Sequence, residues 1–166
     1  MREKNKDFIK FLIAAFVSVI IRRVFAGFSF SNIIPDITLI TLAFIILSNK
    51  NSFFKIQLLA FSLGIVEDIL SIVPMGFWGT IRLTECILLQ VFSDFIETSY
   101  VSFSIGFIVL YILHFFVLFW LGELVGVSVD FPLFQNILNI FFSLTLIPLI
   151  RYLFVKLKLI DGSKWV

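Results

Sequence analysis

Charge is what this sequence has least of: 14% of its 166 residues are Asp, Glu, Lys or Arg, against 60% hydrophobic and a mean hydropathy of +1.11. A soluble domain carries about a quarter charged residues, so that balance excludes one. Cysteine is represented once, at Cys86, which rules out an intramolecular disulfide. Histidine also occurs once, at His114, and a histidine-rich metal site is excluded with it. No P-loop, zinc-binding H-E-x-x-H pair or glycine-rich dinucleotide fingerprint is present. Gly27-Phe28-Ser29-Phe30 has the outline of a G-x-S element, but no imidazole besides His114 could serve it as a base. No enzymatic function, cofactor or metal is expected. Gly/Ser linkers, internal repeats and polar low-complexity blocks are likewise missing, and the chain reads as one domain.

What fills the sequence instead is apolar runs, rich in the 23 Phe residues, long enough to cross a hydrocarbon core. A helical crossing takes roughly 20 residues. Six are expected, at about 7–24, 33–49, 53–73, 77–95, 99–123 and 132–154, the second of them short. The runs are continuously apolar and lack the period-two alternation of a barrel strand, so the expected fold class is an all-α integral membrane protein, a bundle of six transmembrane helices. Arg2, Lys4 and Lys6 ahead of an apolar run also fit a signal peptide, but Arg22 and Arg23 sit where its cleavage region should be uncharged, and a retained first helix is expected.

Basic residues orient such a bundle, because they resist transfer to the outer side. With the N-terminus inside, ten of the 13 Lys and Arg fall on cytoplasmic segments, Arg22 and Arg23 fall outside, and Arg82 lies within the fourth helix. Both termini are therefore expected in the cytoplasm. A net charge of +2 gives no reason to expect a nucleic-acid partner; the basic ends anchor topology beside anionic lipid.

Charged groups inside the apolar runs are the candidate functional residues. The third helix carries Gln57, Ala60, Gly64, Asp68 and Ser71 at steps of three or four, which makes one small and polar stripe facing protein. Glu67 lies about 100° round the helix from Asp68. Trp78, Arg82 and Glu85 share a face of the fourth helix, antiparallel to the third across a short turn holding Pro74 and Gly76. Counted from that turn, Asp68 and Arg82 are expected at one level, roughly 8 Å deep. An unpaired charge there costs ~3 kcal/mol or more, so Arg82 is expected to pair with Asp68 or Glu67. Asp36, after Pro35, is placed to cap the second helix and lies near the same outer level. These residues compose an expected polar layer in the outer half of the bundle. On the sixth helix, Asn136, Asn139 and Ser143 share a face suited to interhelical amide bonding, and Pro148 interrupts the hydrogen-bond ladder. His114 is read as a packed, hydrogen-bonded imidazole of the fifth helix rather than a proton relay. Gly122 and Gly126 form a GxxxG near the outer end of that helix.

Two stretches carry a resemblance. Ile34-Pro35-Asp36-Ile37-Thr38-Leu39, and Gly64-Ile65-Val66-Glu67-Asp68-Ile69-Leu70-Ser71 leading to Pro74-Met75-Gly76, resemble the MreD family of rod-shape-determining membrane proteins. In that family a Pro-Asp pair opens one helix, and a Gly-x-x-x-Asp pattern leads through Leu-Ser to a Pro-x-Gly turn. The matching positions are Pro35, Asp36, Gly64, Asp68, Pro74 and Gly76. The chain departs from the pattern in placing Glu67 directly before Asp68, which leaves open which acid fills the family's role.

The resemblance implies a fold similar to the S component of energy-coupling-factor transporters and a place in the bacterial inner membrane. It implies a non-enzymatic scaffold of the elongation machinery for lateral peptidoglycan, binding an MreC-like bitopic protein through its transmembrane helices. Through that partner it implies links to a RodA-type glycosyltransferase, a class B penicillin-binding transpeptidase and MreB. The alternative from another class is a substrate-binding subunit of a small-molecule, vitamin-type transporter, whose ligand cavity the outer polar layer would line.

Overall fold

In the computed structural model, residues 2–26, 36–48, 53–93, 100–127, 133–158 and 160 are described. Pro35 and the Gly27–Phe30 element lie outside them. The described residues form six helices: α1 (Arg2–Ala26), α2 (Ile37–Ser48), α3 (Phe53–Ile69), α4 (Phe77–Phe92), α5 (Tyr100–Val125) and α6 (Leu133–Lys156). The fold is all-helical.

Helix boundaries follow local chemistry. α3 ends at Ile69, short of the expected 73, because Leu70 to Pro74 form a turn whose proline has no N–H to continue a ladder. Gly76 closes that turn at φ 92°, a left-handed conformation that glycine adopts without steric cost. α1 starts earlier than expected, at Arg2, since nothing in Arg-Glu-Lys-Asn-Lys-Asp breaks a helix. α6 runs through Pro148, which is exposed. The second glycine of the GxxxG serves a different purpose from helix packing: Gly126 has φ 73°, open space around it, and ends α5.

α2 is the axis of the molecule. Its residues from Thr38 to Leu47 are buried without a polar face, which is why its sequence, Ile-Thr-Leu-Ile-Thr-Leu-Ala-Phe-Ile-Ile-Leu-Ser, is apolar all round. α1, α3, α4 and α6 all pack on it. Phe44 stacks on Phe103 of α5 at 4.7 Å between ring centroids and tilts against Phe154 of α6 at 5.6 Å. The most extensive pairing is α3 with α4. There the small stripe of α3 does its work: a Cβ on Gly64 would stand 2.4 Å from the carbonyl oxygen of Trp78 and 2.5 Å from Cα of Gly79. The helices touch backbone to backbone at that point. Farther down, Gln57 donates to Gln90 at 2.8 Å and Gln90 donates to the carbonyl of Phe53 at 3.2 Å, which clips the other end of the hairpin.

Two helices are long and apolar enough to cross a membrane, α5 over Val101–Val125 and α6 over Asn136–Lys156. Only 28% and 17% of their apolar windows are buried in the protein, which is the exposure of a helix that faces lipid rather than of a soluble core helix. Together with the composition, this makes membrane association the physical reading of the outer helices.

Candidate functional site

The charged residues of four helices converge on Arg82. This arginine is fully buried in α4, and its guanidinium serves three carboxylates at once. Nε donates to Glu67 Oε2 at 3.0 Å and Nη2 to Glu67 Oε1 at 3.0 Å. Nη2 also reaches both oxygens of Asp36, at 3.1 and 2.9 Å, and Nη1 donates to Glu85 Oε2 at 2.9 Å. The planar fork of arginine makes that distribution possible; an ammonium could not hold two carboxylates edge-on.

Around this centre the remaining partners are arranged by their helices. Arg22, near the end of α1, adds a second guanidinium, with Nη1 3.1 Å from Glu67 and 3.4 Å from Asp36. Trp78 lies under both arginines, its ring centroid 4.9 Å from Arg22 Cζ and 5.6 Å from Arg82 Cζ, so the negative ring face adds to the stabilisation of the two cations. Arg23 donates from Nη2 to the backbone carbonyl of Glu67 at 2.9 Å. On the inner side, His114 of α5 bonds through Nδ1 to Glu85 Oε1, and Tyr111 and Phe115 pack beside its ring. A hydrogen-bonded imidazole was the expectation for His114; its membership of the charge cluster was not.

Asp36 performs two tasks. Its Oδ1 accepts from the backbone N–H of Leu39 at 3.0 Å, capping α2, while both oxygens meet Arg82. The cap and the ion pair are compatible because a carboxylate has four acceptor sites.

Asp68 corrects one sequence expectation. Of the two acids offered to Arg82, the guanidinium takes Glu67. Asp68 instead turns to the first turn of α4, accepting from the backbone N–H of Gly76 at 2.8 Å, Trp78 at 2.8 Å and Gly79 at 3.4 Å. Those N–H groups are orphans of the helix start, and Gly76, the N-cap residue, has no side chain to satisfy them. The anion also complements the positive end of the α4 dipole. Asp68 therefore belongs to the turn rather than to the level of Arg82. Ser71 completes the same corner, donating to the carbonyl of Glu67 at 2.7 Å.

Arg82, Glu67, Glu85, Asp36 and Asp68 are each at most 3% exposed. All four carboxylates have named donors within the protein, while Arg23 Nε, on the guanidinium that reaches the Glu67 carbonyl, is buried with no hydrogen-bond partner. Gly64, Pro74 and Gly76 supply backbone geometry around the cluster. Among the described residues no group of three or more His, Cys, Asp and Glu is arranged to hold a metal ion. Cys86 is buried beside the cluster on α4. Neither the cleft between α5 and α6 nor the one between α1 and α6 is lined by a residue of the cluster.

Comparison of the chain with family models, with curated proteins and with solved structures finds no match.

Proposed function

We propose that this chain is a non-enzymatic, multi-pass scaffold of the bacterial inner membrane, in which α1 to α6 are six crossings with both ends in the cytoplasm. In this reading it is an MreD-like component of the elongation complex. Its fold is similar to that of a transporter S component, and its transmembrane helices bind an MreC-like bitopic protein. A RodA-type glycosyltransferase, a class B penicillin-binding transpeptidase and MreB are linked through that partner.

One observation carries the proposal. Among the described residues on which the MreD resemblance rests, Asp36, Gly64, Asp68 and Gly76 each hold backbone or charge geometry in place, and none of them lines the α5–α6 or α1–α6 cleft. Asp36 caps α2 and meets Arg82. Gly64 admits the α4 backbone. Asp68 and Gly76 form the α3–α4 corner. Residues committed in that way serve a rigid platform, which is what a scaffold needs. A ligand-binding subunit is served by polar groups turned toward a substrate, whereas each of the four carboxylates here is held by donors of the protein itself.

The test is to purify the tagged protein gently in detergent from its native cells and identify what accompanies it. A bitopic protein with a large outer domain, together with cell-wall synthases, is the expected result. Paired ATPases with a bound vitamin would overturn the scaffold reading in favour of a transporter subunit.

A further inference from the structure

We infer that the groove between α1 and α6 seats an anionic phospholipid, one acyl chain lying along its apolar walls and the phosphate beside Lys10 at its mouth. The inference rests on α1 and α6 being crossings, as in the six-span reading, and goes beyond that reading by naming a ligand.

The groove has a volume of about 470 Å³, within the range of ligand sites. α1 contributes Lys10, Ile13 and Val17 to it, α6 contributes Leu153 and Leu157, and Thr41 of α2 lies at its floor. Ile13, Val17, Leu153 and Leu157 are 46 to 58% exposed, so the groove opens sideways along its length. Its neutral polar residues, Ser18 and Thr41, are buried, and the Ser18 hydroxyl donates to the carbonyl of Ala15 at 2.7 Å. Lys10, which is exposed, is the one charged residue of the lining, and it stands at the end of the groove, a turn before Ile13.

Dimensions and charge choose the occupant. From Lys10 to Ile21 the α1 wall runs roughly 16 Å, which spreads the volume into a slot of about 30 Å² in cross-section. A helix, about 10–12 Å wide with its side chains, only straddles a slot that narrow; an extended hydrocarbon chain enters it. Among the described side chains, charge at the Lys10 end is of one sign. Phe11 meets Phe154 there, with ring centroids 6.4 Å apart, which sets this part of α1 against the last turns of α6, where Lys156 and Lys158 flank Leu157. The acids with described side chains lie elsewhere: Asp36, Glu67, Asp68 and Glu85 in the cluster, and Glu123 near the end of α5. Lys10 has an apolar stem that follows the wall and an ammonium with three donors, so it serves a phosphate beside any partner of its own. An apolar slot that ends at a group of cations is complementary to a hydrocarbon tail that ends at a phosphate.

The full chain, purified in detergent, would be offered equal amounts of phosphatidylglycerol and phosphatidylcholine with identical acyl chains, and bound lipid counted by native mass spectrometry. The wild type is expected to retain phosphatidylglycerol preferentially, and Lys10→Gln to cut that preference about fivefold, the worth of one basic residue beside anionic lipid. Lys55→Gln removes the same charge from the exposed start of α3, outside the groove, and should leave the preference unchanged. Equal retention of the two lipids by the wild type would overturn the proposal without requiring any variant to fold. So would an equal effect of the two substitutions, the mark of diffuse attraction to surface charge. A phosphatidylglycerol with a diazirine in its acyl chain should label Val17 and Leu153; equal labelling of Ile112 and Phe116, exposed on α5, would also overturn it. A photocrosslinking residue at Val17 that captures a polypeptide in native membranes would do the same. Lipid bound without preference rejects the groove alone, whereas a chain that retains no lipid of any kind rejects the crossings beneath it.

Discussion

Arg82 grips Glu67 through two parallel hydrogen bonds, Nε to Oε2 and Nη2 to Oε1, both 3.0 Å long, across fifteen residues of chain. The same guanidinium bonds Asp36 and Glu85, so removing it would leave three buried carboxylates short of their common cation.

Arg82→Leu is therefore expected to cost ~3–5 kcal/mol, the loss typical of a buried charge stripped of its partner. Size-exclusion of the detergent-solubilised variant should show little monodisperse protein. Arg82→Lys should recover only part, because an ammonium cannot reproduce the forked contacts.

Exchanging charges gives a sharper result. Glu67→Arg combined with Arg82→Glu should fail to restore the fold, because the new glutamate would face Asp36 and Glu85. Asp68→Arg combined with Arg82→Glu should fail as well, since Asp68 bonds backbone N–H groups and not Arg82. Recovery of wild-type abundance in either double variant would contradict the arrangement.

At Asp68, replacement by Leu removes the acceptor for three N–H groups at the start of α4, an expected loss of ~2–3 kcal/mol. For a chain of this size that corresponds to a melting temperature lower by about 4–12 °C. Asp68→Asn keeps one acceptor oxygen and should fall between Leu and wild type in the same thermal scan.

Three glycines should rank in a definite order. Gly64→Ala is expected to be the most damaging, because its Cβ would meet the backbone of Trp78 and Gly79 at 2.4 and 2.5 Å. Gly76→Ala meets no atom but strains a φ of 92°, for ~1 kcal/mol. Gly79→Ala meets only side-chain ends, Ile65 Cδ1 at 3.1 Å and Phe61 at 3.2 Å, and should be mildest. Thermal scans of the three variants check the order.

His114→Leu takes a donor from Glu85 Oε1 and is expected to cost ~1–3 kcal/mol. His114→Gln offers an amide donor of similar reach and should lose less. Equal melting temperatures for the two would mean that packing, not the bond to Glu85, is what His114 contributes.

Much of this arrangement was legible in the sequence. Apolar runs bounded six helices, and charges within them marked a layer near the α3–α4 turn, because lipid and apolar packing tolerate buried charges only where they meet. Less legible was the division of labour between Glu67 and Asp68. Adjacent residues differ by about 100° in direction, and helix rotation decides which meets the arginine. The deciding signal was present: Gly76 cannot cap α4 with a side chain, so its free N–H groups needed an acid nearby. Recruitment of His114 was legible only in part: Ser102, Gly106 and His114 share one stripe of α5, which marks a packed side, but that spacing does not say that Glu85 of α4 faces it.

In the proposed six-span reading, the sequence separations in the charge cluster bear on the order in which the helices enter the membrane. Glu67 and Arg82 belong to one helical hairpin, α3 with α4, and Asp68 is satisfied within that hairpin too. Arg22 and Asp36 belong to another, α1 with α2, and lie 3.4 Å apart. Each hairpin thus carries its own cation and anion, so in the six-span reading each would partition into lipid as a unit, without waiting for a partner still to be synthesised. The bonds that join the hairpins, Arg82 to Asp36 and Arg22 to Glu67, span 46 and 45 residues and form when the second hairpin docks on the first. In that reading, charges that would obstruct insertion of a single helix become, when distributed in this way, the means by which the two hairpins recognise each other.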